Sequence, residues 1–451
     1  MLAFGAFECY IQTTMTLAIV ICSITCVAMI LSILFFPKIR IGKIGIATYW
    51  IITLVGAGIL LACGGASVKA VGDAFISDTA VNPVKILVLF LSMTVLSIFL
   101  DELGFFRYLA GVVLRRAKTS QTKLFLLLYV TVSVLTVFTS NDVIILSFTP
   151  FICYFAKNAK INPLPYLAAE FVAANTWSMA LVIGNPTNIY LATASGIDFV
   201  QYLKVSIVPT VAAGLIAFLA LYLLFRKKLA QSIEGEAETV VIEDKLSLWV
   251  GIVHLAVCTV LLAIGSYVNI EMWIVSACAV GSLFVISGVI AIVRRKKPAA
   301  MLGCIKRAPY QLIPFVLSMF VLIVGLNENG VTAKIGELMG SNLSVLKYGT
   351  TSFLASNLIN NIPMSVLFSS IIQSSGGAAG ISAVFATIIG SNLGALFTPI
   401  GALAGIMWSN ILNKHEVKFR YIDFLKIGVV VAIPTLAAAL GSLALTLMLI
   451  A

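Results

Sequence analysis

Two stretches of this chain set amide and hydroxyl side chains around glycine and proline at the same spacing. In the first, Asn175 is followed nine residues later by Gly184-Asn185-Pro186-Thr187-Asn188. In the second, Ser391-Asn392 leads to Thr398-Pro399 and, nine residues after the asparagine, to Gly401. Proline removes a backbone donor and glycine frees the backbone, so a helix running through either stretch should unwind there. Unwinding bares carbonyls that can coordinate a cation, and leaves half-helix N-termini that favour an anion or polar solute. A second pair of polar interruptions lies at Thr139-Ser140-Asn141-Asp142 and at Ser356-Asn357 with Asn360-Asn361-Ile362-Pro363. One such interruption would read as a kinked helix packed through small polar residues. Four in matched positions point to a binding site.

Carboxylates add a coupling chemistry, because charge inside a membrane is costly and is kept there for function. Asp142 sits at an interruption, where it can carry a proton or hold Na+; the matching stretch has Asn361, so the charge is one-sided. Asp101 and Glu102 end an apolar run, with Glu328 as the counterpart of Glu102, and Glu170 lies near Asn175. Asp142 is therefore the first coupling candidate, with Glu102 and Glu170 behind it. His254 has no acidic neighbour in sequence and reads as structural. Cys22 and Cys26 share a helix face, but no His or acidic residue completes a metal set with them. No cofactor is expected beyond a coupling ion, H+ or alternatively Na+ at the hairpin tips. There is no HExxH pair or GxSxG elbow for an enzyme, and no GxxxxGK[ST] loop for nucleotide, so ion gradients should supply the energy.

The elements that must position these residues follow from composition. With 61% hydrophobic and 10% charged residues and a mean hydropathy of +1.09, the chain is an all-α polytopic membrane protein. Spans are predicted at 12–36, 46–64, 84–100, 163–195, 203–225, 247–267, 271–293, 310–326, 380–408 and 420–450. The first, with Glu8 before it, is expected to stay as an anchor rather than act as a signal peptide. Placing the N-terminus outside puts 24 of the 29 Lys and Arg residues in six cytoplasmic loops, the positive-inside pattern of an inner membrane protein. That distribution assigns the net charge of +11 to the bilayer rather than to nucleic acid.

Residues 122–155 begin and end beside cytoplasmic lysines, and residues 345–373 should begin and end outside. Both are predicted to be re-entrant hairpins dipping to mid-membrane, the alternative being a pair of ordinary crossings. A duplication supports the scheme: LSMTVLSIFLDELG (91–104) and LSMFVLIVGLNENG (317–330) agree at eight of fourteen positions at an offset of 226. The expected organisation is N-terminal scaffold helices (1–83), then a first repeat (84–225) with hairpin 122–155 and broken helix 163–195. A cytoplasmic linker (226–246) and scaffold helices (247–309) lead to a second, inverted repeat (310–451) with hairpin 345–373 and broken helix 380–408. The total is about ten transmembrane helices, two hairpins and two discontinuous helices, with both termini outside.

SNDVIILSFTPF (140–151), GNPTN (184–188), SNLINNIPM (356–364) and GSNLGALFTPIGALAGIMW (390–408) resemble the matching segments of the arsenite permease family. That family belongs to the ion transporter superfamily, beside divalent anion:sodium symporters and some sodium–proton antiporters. The resemblance covers most of 84–440. It implies a scaffold-plus-transport-domain fold, with substrate held between hairpin tips and unwound helices. It places Ser140, Asn141, Asp142, Asn185, Asn188, Asn360, Asn361, Ser391, Asn392 and Thr398 at or near the site. GNPTN departs from the serine–asparagine loop of arsenite permeases toward the Gly-x-Pro-x-Asn loops of the wider superfamily. The implied function is arsenite or antimonite efflux by proton antiport around a midplane site. The alternatives are a sodium- or proton-coupled transporter of a di- or tricarboxylate, and a sodium–proton antiporter. Some relatives of this kind recruit a separate ATPase subunit, and many in the superfamily are homodimers.

Overall fold

The computed structural model describes residues 2–36, 38–41, 44–78, 82–232, 241–265, 270–375, 380–417 and 419–450. Residues 233–240 of linker 226–246 therefore lie outside the described residues. The first half of the chain runs α1 (Leu2–Phe35), a β-hairpin of Lys38–Ile41 with Ile44–Ala47, α2 (Thr48–Ala62), α3 (Val68–Ile76) and α4 (Pro83–Glu102). It continues with α5 (Phe105–Ala117), α6 (Gln121–Phe138), α7 (Asn141–Asn158), α8 (Leu164–Trp177), α9 (Pro186–Ala194) and α10 (Phe199–Leu229). The second half repeats the order: α11 (Lys245–Gly265), α12 (Met272–Val293), α13 (Ala299–Arg307), α14 (Leu312–Glu328), α15 (Val331–Met339) and α16 (Ser344–Ile359). It ends with α17 (Asn361–Ser374), α18 (Gly380–Gly394), α19 (Leu403–Lys414) and α20 (Tyr421–Ile450). The order of ten helices in the first half therefore recurs in the second.

Local chemistry sets these boundaries. Asn82 caps α4 by accepting from Val84 N at 2.8 Å, with Pro83 at the first helical position, where no donor is needed. The duplicated motif ends in Gly104 and Gly330 at φ +79° and +70°, a left-handed turn that lets the chain fold back into α5 and α15. Among the described residues, eight helices are long and apolar enough to cross a bilayer. Seven correspond to predicted spans; α2, at 15 residues, is a shorter apolar helix. The eighth is α6, expected as a hairpin arm, whose 18 residues reach span length.

Two further differences stand out. Between α1 and α2 lies the antiparallel β-hairpin, whose KIRI and IGIA segments pair backbone to backbone and reach Ala47, inside the span predicted at 46–64. Ser356-Asn357 does not break the second hairpin. Ser356 Oγ and Asn357 Nδ2 donate to the Phe353 carbonyl at 2.9 and 2.8 Å, so α16 satisfies them internally and runs on to Ile359.

Packing ties the halves together. α1 and α2 pack on each other and on α14 of the second half, while α11 and α12 pack on each other and on α4 of the first. α7 packs on α19 and α17 on α9, and the long α10 and α20 lie against each other. The most intimate pair is α16 with α18, where a Cβ at Gly390 or Gly394 would collide with Ser352 Oγ or Ser356 Oγ. Beyond the membrane ends, Asp244 clasps α11 to α12 through Arg294 at 2.9 Å. Its partial burial works against the ionised form, but hydrogen bonds from Ser247 and Arg294 outweigh this and hold the carboxyl below its usual range.

Candidate functional site

Both predicted breaks are present. α8 ends at Trp177 and resumes as α9 only at Pro186, with a short 3₁₀ turn at Val182–Gly184 between them. α18 ends at Gly394 and resumes as α19 at Leu403, with a 3₁₀ turn at Pro399–Gly401. Gly184 and Gly401 are needed for close approach: a Cβ at Gly184 would press on the Ser178 carbonyl, and one at Gly401 would lie 2.8 Å from that of Gly394. The α6–α7 connection turns at Thr139-Ser140 and the α16–α17 connection at Asn360, where φ is +70°, a value asparagine tolerates better than most residues. Asn360 accepts from Ile362 N at 3.5 Å, capping α17, and Pro363 falls in the first helical turn.

Asn392 is the hub. Fully buried on α18, its Oδ1 accepts from Ser178 Oγ and Asn185 Nδ2, both at 2.9 Å. Its Nδ2 donates to Asn188 Oδ1 at 2.7 Å and to the Ile388 carbonyl at 2.8 Å. Asn188 Nδ2 in turn donates to the Ser178 carbonyl at 2.7 Å, and Asn185 Oδ1 accepts from Thr187 N and Oγ1, capping α9. Asn175 links this knot to the α6–α7 turn: its carbonyl lies 2.9 Å from Ser178 Oγ, and its Oδ1 accepts from Asn141 Nδ2 at 3.2 Å. On the other side, Thr398 Oγ1 donates to Asn357 Oδ1 at 2.6 Å, joining the second break to α16. Asn141, Asn175, Asn185, Thr187, Asn188 and Asn392 thus form one buried network spanning both halves. Asn361 stands apart from these bonds.

Some polar atoms at the turns and breaks are left open. Ser140 Oγ, Thr176 Oγ1, Asn361 Oδ1 and Ser391 Oγ are buried without a hydrogen-bond partner. Buried polar groups are nearly always satisfied, so these four at the turns and breaks stand out. Their neutral oxygens suit a hard cation such as Na+. Among the described residues, no group of three or more His, Cys, Asp or Glu could hold a metal.

The coupling candidates part company. Half-buried Asp142 opens α7 and lines a cavity of about 510 Å³, shared with Leu146, with Met407 and Asn410 of α19, Thr94 of α4, Tyr49 of α2 and exposed Lys38 and Lys306. The corresponding space between α17 and α9, lined by Ile362, Val366, Pro186, Tyr190 and Val316, holds only about 20 Å³. Glu102 takes Arg307, itself on the wall of the Asp142 cavity, at 2.6 Å, with neighbouring Asp101 on the same guanidinium at 2.6 Å. Its counterpart Glu328 accepts from Ser67 N at 2.7 Å, so each carboxylate fastens a short helix of the other half. Glu170 is fully buried and accepts from Thr149 Oγ1 at 2.8 and 3.0 Å, away from the cavity. His254 Nδ1 lies 2.7 Å from the Val250 carbonyl on its own helix.

Sequence reasoning missed Ser178, Thr94, Tyr49, Lys306 and Asn410. Ser178 follows Asn175 by three residues, at the point where α8 ends, and could have been found from that spacing. Thr94 is marked in the sequence as the one departure between LSMTVL and LSMFVL, whereas Asn410 carries no local signal, because only folding brings its helix to Asp142.

A family model described as "Citrate transporter" matches residues 27–386. The "Arsenical pump membrane protein" of Escherichia coli (strain K12) is 29% identical over 379 residues, covering 79% of this chain and 85% of that one. A protein of the same description from Yersinia enterocolitica is 28% identical over 377 residues, with the same coverage. Among solved structures, the YdaH transporter of Alcanivorax borkumensis aligns over 97% of this chain and 98% of its own, with a TM-score of 0.55 at 14% identity. MtrF of Neisseria gonorrhoeae aligns over 96% and 94%, with a TM-score of 0.50 at 14% identity, so both likenesses concern the fold alone. The matched relatives are membrane transporters and not enzymes, in keeping with the arsenite-permease likeness of the four segments. The chain belongs to the citrate transporter family.

Proposed function

We propose that this transporter is a secondary active exporter of arsenite or antimonite, driven by proton antiport, with Asp142 as the coupling carboxylate. The observation that carries the reading is the cavity of about 510 Å³ reaching Asp142 while its counterpart is closed to about 20 Å³. Two such spaces on matching elements, one open and one shut, are what alternating access around a midplane site requires. The open side is that of Lys38 and Lys306, the cytoplasmic side by the positive-inside rule. The protein then lies in the inner membrane with both termini outside, its α6–α7 and α16–α17 turns entering from opposite faces as re-entrant hairpins. The asparagine network crosslinks the broken helices, and the open oxygens of Ser140, Thr176, Asn361 and Ser391 serve solute and ion. Asp142 alternately binds arsenite-side hydroxyls and a proton, so one release permits the other. Glu102 and Glu170 hold the surrounding helices. A homodimer, and recruitment of a separate ATPase subunit, belong to the same reading.

A second reading has its own support. Exposed Lys38 and Lys306 on the cavity would draw in an anion, and the matching family model is named for citrate, so sodium-coupled carboxylate transport is the runner-up. Sodium–proton antiport stands behind it. Proteoliposomes with imposed pH and sodium gradients, offered arsenite, citrate or succinate, decide among these. Arsenite movement that needs the proton gradient and is lost in Asp142→Asn is the expected result. Sodium-driven carboxylate uptake without arsenite movement would move the protein to the second reading.

A further inference from the structure

The open cavity and its closed counterpart are lined by matching elements but not by matching chemistry. Within the duplicated motif, residues 91–96 (LSMTVL) and 317–322 (LSMFVL) differ only at Thr94 against Phe320. The first residues of α7 and α17 differ in the same sense, Asn141-Asp142 against Asn361-Ile362. On the closed side Phe320 packs edge-on against Tyr190 at 5.5 Å between ring centres, and Tyr190 and Ile362 line the small space. On the open side Thr94 and Asp142 line one cavity. Both polar departures from the repeat therefore fall in the same place.

Thr94 is also unusual for its type. A threonine in an apolar helix ordinarily donates its hydroxyl to the carbonyl one turn back. Thr136, Thr210, Thr387 and Thr435 do so at 2.7, 2.8, 2.8 and 2.6 Å. Thr94 is 3% exposed, yet its Oγ1 has no partner. A buried hydroxyl left open at a cavity wall is an unfilled hydrogen-bonding position.

We propose that Thr94 is a solute-contacting residue that forms with Asp142 a one-sided polar pair for a small uncharged oxyacid. Such a solute has hydroxyls that donate to the Asp142 carboxylate and oxygens that accept from Thr94. A multiply charged carboxylate would bring its own charge against Asp142, so the pair also sets specificity. The contact is separate from the asparagine network, whose amides are already used by one another. This inference rests on the arsenite-efflux reading and names a contact within it.

The test uses Thr94→Val, which keeps shape and removes the hydroxyl, and Thr94→Ser, which keeps the hydroxyl. In inside-out vesicles with arsenite as the probe, Thr94→Val should raise KM about tenfold, the loss of one buried hydrogen bond. The maximal rate and its need for a proton gradient should stay, and Thr94→Ser should behave as the native protein. An unchanged KM in Thr94→Val overturns the proposal. Thr94→Cys, in a background whose other cysteines are serine, supplies a readout without transport. It should react with a membrane-impermeant maleimide added to the face of the basic loops, and failure to react also overturns the proposal. If the native protein moves no arsenite, the efflux reading falls by itself. The labelling result then decides separately whether Thr94 faces the cavity.

Discussion

Asn392 holds four hydrogen bonds with one side chain, and three of its partners lie in the other half of the chain. Asn392→Ala would leave Ser178, Asn185 and Asn188 without those bonds in a dry interior. Single hydrogen bonds between membrane helices are each worth only about 0.6 kcal/mol, so the loss should total on the order of 2 kcal/mol. Thermal unfolding in detergent should show a clear drop in Tm, together with lost transport, and a native Tm would count against the hub. Asn392→Asp keeps the acceptor but loses the donor to Asn188, so it should sit between the two. This network was legible before folding because asparagine beside Gly-Pro has few structural uses in an apolar chain. Its bonding pattern was not, since nothing in the spacing says that the amides satisfy one another while Ser140 and Ser391 stay open. The role of Glu102 was equally hidden, because its partner Arg307 lies 205 residues away.

At the scale of elements, the sequence displayed breaks better than lengths. Proline and glycine announce an unwound helix locally, whereas the end of α16 depends on whether Ser356 and Asn357 find carbonyls one turn back, which they do. The glycines of α18 illustrate the reverse, a sequence feature explained only by a neighbour. Gly390 and Gly394 face Ser352 and Ser356 of α16 so closely that a methyl group cannot enter. Gly394→Val should therefore push α16 from α18 and abolish transport through misfolding, seen as loss of the monodisperse peak on size exclusion. Gly281, with open space around its Cβ position, is the matched control, and Gly281→Ala should be silent. Arg307 offers a second test at this scale. Arg307→Gln strands the buried Asp101 carboxylate, costing on the order of 2 kcal/mol for a pair that is only partly buried. Lower thermal stability in detergent is expected, and a native Tm would count against the pair.

The whole molecule is two copies of a ten-helix series, with one space open and its counterpart shut. If the series exchange roles, residues lining the two spaces should be accessible in opposition. Leu146→Cys should label from the basic-loop face and Val366→Cys from the other, with conditions that favour one disfavouring the other. Simultaneous full labelling of both would describe a channel, not a carrier. The repeat was visible in fourteen residues of sequence, but its reach was not. The early helices share no motif with α11–α13, and only in the folded chain do the two sets take matching places, on α14 and on α4.

That exchanged packing bears on how the protein is made. α4 enters the bilayer as part of the first half, but the helices that cover it, α11 and α12, are synthesised only after residue 241. Until then the growing chain holds its most buried span against lipid, and α1 and α2 wait for an α14 that does not yet exist. Helices α5–α10 pack on one another and can close early, but the cover of α4 and the partner of α1 and α2 arrive only with the second half. Residues 1–232 and 241–451 expressed as separate chains should each be degraded when made alone and persist when made together.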